Sequence, residues 1–153
     1  MLKRSRTEGR RAGPARVLVV DDDPDACELI ARVVESHGME AVRAHGHEQA
    51  MTELLGAINA FGAMVIDFAH GGPSAGVALL EDVRSSDAVH DLPVVIITRV
   101  AQNRVFAWQA GVDAYLVRPL HGAELLAELD AVLTRSPGER DAHRRAALDE
   151  ATA

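Results

Sequence analysis

Five times between residues 16 and 135 a short apolar run gives way to a helical stripe. "RVLVV" leads into "PDACELIARVVESHG", "MEAVRAHG" into "HEQAMTELLGA", and "GAMVIDF" into "VALLEDVRSS". "DLPVVIITR" then leads into "AQNRVFAWQAG", and "AYLVRPL" into "GAELLAELDAVLTR". Short apolar runs bounded by turn residues read as buried strands of the parallel type. Tyr115, Leu116 and Val117 read as such a buried strand too. Cys27, Ile30, Ala31 and Val34 share one face of the first helix, and Leu125, Leu126, Leu129, Val132 and Leu133 form the stripe of the last. Gly38 and Gly111 stand where helices stop. Strand–helix alternation of this kind needs right-handed crossovers, so the chain is predicted to be α/β, one parallel sheet with helices on both faces.

The rest of the chain adds two flanks. Residues 1–15 have no periodicity and read as a disordered basic arm, and residues 16–135 as the domain. Residues 136–153 read as a charged, Ala-rich tail with helical tendency and no strong apolar face. The net charge of −7 is unevenly placed. Residues 1–16 hold six cations and one acid, while residues 17–135 hold seven arginines against eighteen acids. No aromatic residue interleaves the arginines of the arm, so it reads as a solvated leader and not a nucleic-acid grip. The acidic body argues against duplex DNA as a partner. A single cysteine, Cys27, leaves no internal disulfide framework. No apolar run has the length of a membrane span, and the N-terminus lacks a signal core, so a cytoplasmic protein is expected.

The carboxyl ends of the strands carry the chemistry. Strand one ends in Asp21, Asp22 and Asp23, strand three in Asp67, strand four in Thr98, and strand five in Arg118 followed by Pro119. A parallel sheet brings these ends to one edge, where such folds bind ligands. Crowded carboxylates need protons or a cation. Oxygen-only ligands favour Mg²⁺, which takes one or two carboxylates, keeps waters and bridges to phosphate. An aspartate there can act as a nucleophile and form an acyl phosphate, with a hydroxyl and a cation on the phosphoryl oxygens. Asp23 suits the start of the following helix. "DDDPDA" after strand one would repel the phosphate of a flavin, and the extended motif of aspartate-nucleophile phosphatases is absent after Asp67.

"VLVVDDDP", "MVIDF", "LPVVIIT" and "AGVDAYLVRP", in this order and phase, resemble the receiver domain of two-component response regulators over residues 16–135. The resemblance implies a flavodoxin-like (βα)5 doubly wound sheet with strand order 2-1-3-4-5. It implies that Asp67 is the phosphoacceptor. Asp21 and Asp22, with Asp67 and the backbone carbonyl of Ala69, would hold Mg²⁺. Thr98 matches the switch hydroxyl, Tyr115 the switch aromatic, and Arg118 the position where the family has lysine. Pro119 matches a proline that follows a cis peptide bond. The implied partners are a histidine kinase or phosphotransfer protein upstream, and a downstream protein on the face of helix four, strand five and helix five. The expected role is that of a stand-alone receiver in a phosphorelay and not of a metabolic enzyme, since few residues follow Arg135.

The sequence departs from the family in four places, and three of them, Arg118, Arg99 and the altered loop, motivate an alternative, a pseudo-receiver that binds or scaffolds without phosphorylation. Arg118 is a planar fork where lysine is a point charge, and it is suited to pairing with Asp67 and holding it shut. Arg99 adds bulk and charge after Thr98, where a small residue is usual. In "FAHGGPSAG" the positions of Pro73 and Gly76 imply an altered, longer loop, with His70 in place of methionine and read as a surface histidine. The interval from Thr98 to Gly111 is short, so the fourth helix is expected to start late or be short. Trp108 reads as core on that helix, and Phe106 as an exposed partner contact.

Overall fold

The structure, a computed structural model, describes residues 14–68 and 73–153. The basic arm through residue 13, together with Ala69 and His70, lies outside the described residues. The strands are β1 (Arg16–Val20), β2 (Glu40–Ala44), β3 (Ala63–Ile66), β4 (Val94–Thr98) and β5 (Ala114–Val117). The helices are α1 (Pro24–Ser36), α2 (His47–Gly56), α3 (Pro73–Ser85), α4 (Arg104–Ala110), α5 (Gly122–Thr134) and α6 (Pro137–Thr152). All pairings are parallel and the strand order is β2-β1-β3-β4-β5. This is the doubly wound order expected from the resemblance.

The central strands are apolar on both faces because helices cover both. β3 and β4 are buried at every position. One core lies between the sheet and α2, α3 and α4, around Leu18, Met64, Ile66, Leu79 and Trp108. The other lies under α1 and α5, around Val19, Val65, Ile97, Ile30 and Leu129. Cys27 sits in the second core, its thiol on the carbonyls of Val19 and Ala44 at 3.6 and 4.0 Å. Burial pushes that thiol up to about 11.

β5 departs from the reading of Tyr115, Leu116 and Val117 as a buried strand. All three are only half-buried. β5 is an edge strand, with β4 on one side only, so its outer flank cannot be covered by another strand. The short interval after Thr98 resolves as a 3-10 turn, Ala101–Asn103, followed by the seven-residue α4. Trp108 is buried on α4 and Phe106 is 64% exposed, as the pattern implied.

Helix ends follow local chemistry. The Asp23 carboxylate accepts from the backbone N–H groups of Asp25 and Ala26 and caps α1. α4 stops at Gly111, whose φ of 100° favours glycine. A Cβ there would lie 3.0 Å from Arg84 Nε. Arg84 donates to the Gly111 carbonyl and to Asp113. Gly111→Ala is therefore expected to cost about 1–3 kcal/mol, read as a lower urea midpoint with unchanged slope.

The tail is a full helix, and it docks. Ser136 and Glu139 cap α6 reciprocally: Ser136 Oγ accepts from the Glu139 N–H at 3.1 Å, and Glu139 Oε1 accepts from the Ser136 N–H at 2.7 Å. α6 packs along α4, with His143 edge-on to Trp108 at 5.9 Å between ring centroids. Ala147, Leu148 and Ala151 lie against the first core. Arg140, its one buried residue, reaches Asp113 and Asp91. The sequence pattern showed no strong apolar face because two guanidiniums and an imidazole occupy half of the docking stripe.

Candidate functional site

Register brings the polar strand ends together. Val20 of β1 pairs with Ile66 of β3, so Asp21 and Asp67 follow side by side. The Asp67 N–H donates to the Val20 carbonyl at 2.8 Å. On the other flank Thr98 pairs with Val117, and the Arg118 N–H donates to the Thr98 carbonyl at 2.7 Å. The Arg118–Pro119 peptide is cis, as the resemblance implied.

Asp67 and Asp21 are buried, and each meets its charge differently. Arg118 Nη2 donates to Asp67 Oδ2 in a direct ion pair. Asp21 Oδ1 accepts from the Asp23 N–H at 2.9 Å, while its Oδ2 is buried without a hydrogen-bond partner. Burial, with the nearby charges of Asp67 and Asp22 adding to it, pushes the Asp21 carboxyl up to about 7. A carboxylate oxygen left without a partner in a dry site is a place for a cation. The oxygen-only donor set and this unpaired oxygen fit a hard divalent ion held by one or two carboxylates and waters. Among the described residues no group of three His, Cys, Asp or Glu side chains forms a ready-made cage.

Thr98 and Tyr115 are linked through Val100. Thr98 Oγ1 accepts from the Val100 N–H at 3.1 Å, and the Tyr115 hydroxyl donates to the Val100 carbonyl at 2.5 Å. Arg104 lies over the Tyr115 ring at 6.0 Å. Burial pushes the Tyr115 phenol up. Both side chains thus hold the segment between β4 and α4.

Asp67, Thr98, Arg99 and Arg118 open into one cavity of about 520 Å³. Its apolar wall comes from Ala26, Ile30 and Val33 of α1 and from Leu120 and Leu125. Leu29 on its rim is 68% exposed. The α1 stripe predicted the buried face but not this wall. The signal was present in the apolar residues flanking that stripe, Leu29 and Val33.

A second polar cluster lies at the opposite ends of the strands and escaped the motif reading. Asp113, 1% exposed, accepts from the Val94 N–H and from Arg84, Arg140 and Arg144. Its partners come from α3, β4 and α6, so no local motif marks it.

Residues 17–130 match the family model of the response regulator receiver domain. The chain belongs to the response regulator receiver family. This receiver is 29% identical over 129 residues to the phosphate regulon transcriptional regulatory protein PhoB of Pseudomonas aeruginosa, covering 82% of this chain and 55% of that protein. It is 30% identical over 123 residues to the transcriptional regulatory protein CpxR of Escherichia coli K12, covering 79% and 50% respectively. The chain thus spans about half the length of the curated relatives it matches. Among solved structures, it resembles the receiver domain of a Francisella response regulator with a TM-score of 0.68 and 27% identity, covering 79% of this chain and 98% of that one. Response regulators are components of two-component signalling, and the receiver is their signalling module. Among the described residues no helix is long and apolar enough to cross a membrane.

Proposed function

We propose that this receiver accepts a phosphoryl group on Asp67 from a histidine kinase or phosphotransfer protein, and signals by protein–protein contact through α4, β5 and α5. The observation that carries this reading is Asp67 itself. It is a buried carboxylate at a strand end, beside the unpaired oxygen of Asp21, with a cation and a hydroxyl across the same cavity.

In this reading Asp67 attacks the phosphorus of a phosphohistidine. The new bond is O–P, the broken bond is P–N, and the imidazole leaves with a proton from solvent. Arg118 shifts from the Asp67 carboxylate to a phosphoryl oxygen and keeps its charge matched. The Thr98 oxygen accepts from Val100, which leaves its proton for a phosphoryl oxygen. That contact would draw on Val100, which also holds the Tyr115 hydroxyl. Asp21, Asp22 and Asp67, with the Ala69 carbonyl, would hold Mg²⁺, which offsets the charge of the incoming group. Arg99 at the cavity mouth attracts anionic donors and narrows access for water.

Incubation with acetyl phosphate and Mg²⁺ is expected to add one phosphoryl mass to the intact chain, and Asp67→Asn to abolish it. The ion pair of Arg118 on Asp67 favours a second reading, a pseudo-receiver that stays unmodified. Absence of both acetyl phosphate labelling and a beryllofluoride-induced NMR shift would establish that second reading.

A further inference from the structure

The cluster around Asp113 divides its acceptor capacity unequally. Oδ2 is satisfied from within the βα core, by the Val94 N–H at 2.9 Å and Arg84 Nη2 at 3.0 Å. Oδ1 accepts only from α6, from Arg140 Nε at 2.9 Å and Arg144 Nη1 at 2.7 Å. Arg140 Nη2 adds a longer bond to Oδ2 at 3.2 Å. One face of a buried carboxylate is thus reserved for guanidiniums arriving on a helix.

That helix stands apart from the core it touches. α6 follows the segment that matches the family, and it contributes no fully buried apolar residue. Its apolar contacts are two alanines and Leu148, all partly buried. Docking rests mainly on charge pairs, which a competing helix of the same pattern can replace. Arg140 and Arg144 also sit beside Arg84, whose guanidinium is pushed down to about 10 by burial, with both α6 arginines adding to the effect. All three guanidiniums share the one Asp113 carboxylate. When α6 lifts, Asp113 keeps Arg84 and Val94, so the site persists.

We infer that Asp113 and the α4 surface beside it form a helix-docking site, filled here by the chain's own α6 and open, once α6 lifts, to a partner helix carrying arginines four residues apart and a leucine four beyond them. α6 is then a cover over α4 that such a partner must displace. The inference rests on this geometry and not on phosphorylation of Asp67.

Trp108 is the only tryptophan and meets His143 of α6, so its emission reports docking directly. The full chain carrying Arg140→Glu and Arg144→Glu is expected to stay folded by circular dichroism and to shift Trp108 emission. A synthetic peptide of residues 136–153 is expected to bind that variant at least tenfold more tightly than the wild-type chain, and to return the emission towards the wild-type value. Leu148→Asp, which leaves the arginines in place, is expected to give the same ordering with a smaller difference. Folded variants that bind the peptide no better than wild type overturn the inference. So does unfolding of both variants, which makes α6 a fixed part of the core.

Discussion

Replacing Arg118 by lysine is expected to raise the rate of Asp67 phosphorylation by acetyl phosphate about tenfold. In the structure Arg118 Nη2 engages Asp67 Oδ2, an oxygen of the proposed nucleophile. The Arg118 side chain is one-third exposed, so the pair is worth only about 1–2 kcal/mol, which is nonetheless about a decade in rate when it must break before attack. Lysine keeps the positive charge for the phosphoryl oxygens but lacks the fork that holds the carboxylate. Arg118→Ala frees Asp67 yet removes that charge, so it is expected to be slower than the lysine variant. Rates come from intact-mass time courses at fixed acetyl phosphate and Mg²⁺. A lysine variant slower than wild type would show that the arginine itself serves the transfer.

Asp21→Asn carries the second large effect, on stability. The folded carboxyl titrates near 7 against 3.8 for the unfolded chain. Between those values the native state binds the extra proton, so this group's contribution to stability is greatest at acid pH and is lost as pH rises through about 7. The ionised carboxylate then costs roughly 2–4 kcal/mol at pH 8. In metal-free buffer at pH 8, Asp21→Asn is expected to raise Tm by roughly 5–10 °C. The gain should vanish near pH 4, where both proteins are neutral at this position. Added Mg²⁺ should raise the wild-type Tm at pH 8 and leave the asparagine variant nearly unmoved. A variant less stable than wild type at pH 8 would contradict the assignment of Asp21 as a strained, cation-seeking group.

Most of the fold was legible because its signals are local. Val17 to Val20 and Val94 to Ile97 are unbroken apolar runs, and Cys27, Ile30, Ala31 and Val34 are the buried residues of α1. The meeting of Asp21, Asp67, Thr98 and Arg118 followed from topology once the strands were placed. One feature was misjudged and one went unread, each for a physical reason. β5 has the composition of a buried strand, but its place at the edge leaves Leu116 and Val117 half-exposed. The helical tendency of α6 was legible, but its docking was not, because hydrophobic periodicity cannot recognise a helix that docks through arginine. Its start was nonetheless written in "SPGE", a serine with glutamate three residues on and proline between them. The stripe of Arg140, His143, Arg144, Ala147, Leu148 and Ala151 repeats at helical spacing, and it becomes visible only when cations count as inward-facing.

Cys27 has a practical consequence. A thiol that is fully buried and held near 11 presents almost no thiolate at neutral pH and no path for a reagent. It is also the only sulfhydryl in the chain. Maleimide labelling of native protein should therefore be negligible, and its slow rate measures how often α1 lifts from the sheet. A cysteine introduced at an exposed position would take a probe alone, which makes the wild-type sequence a ready background for site-specific labelling.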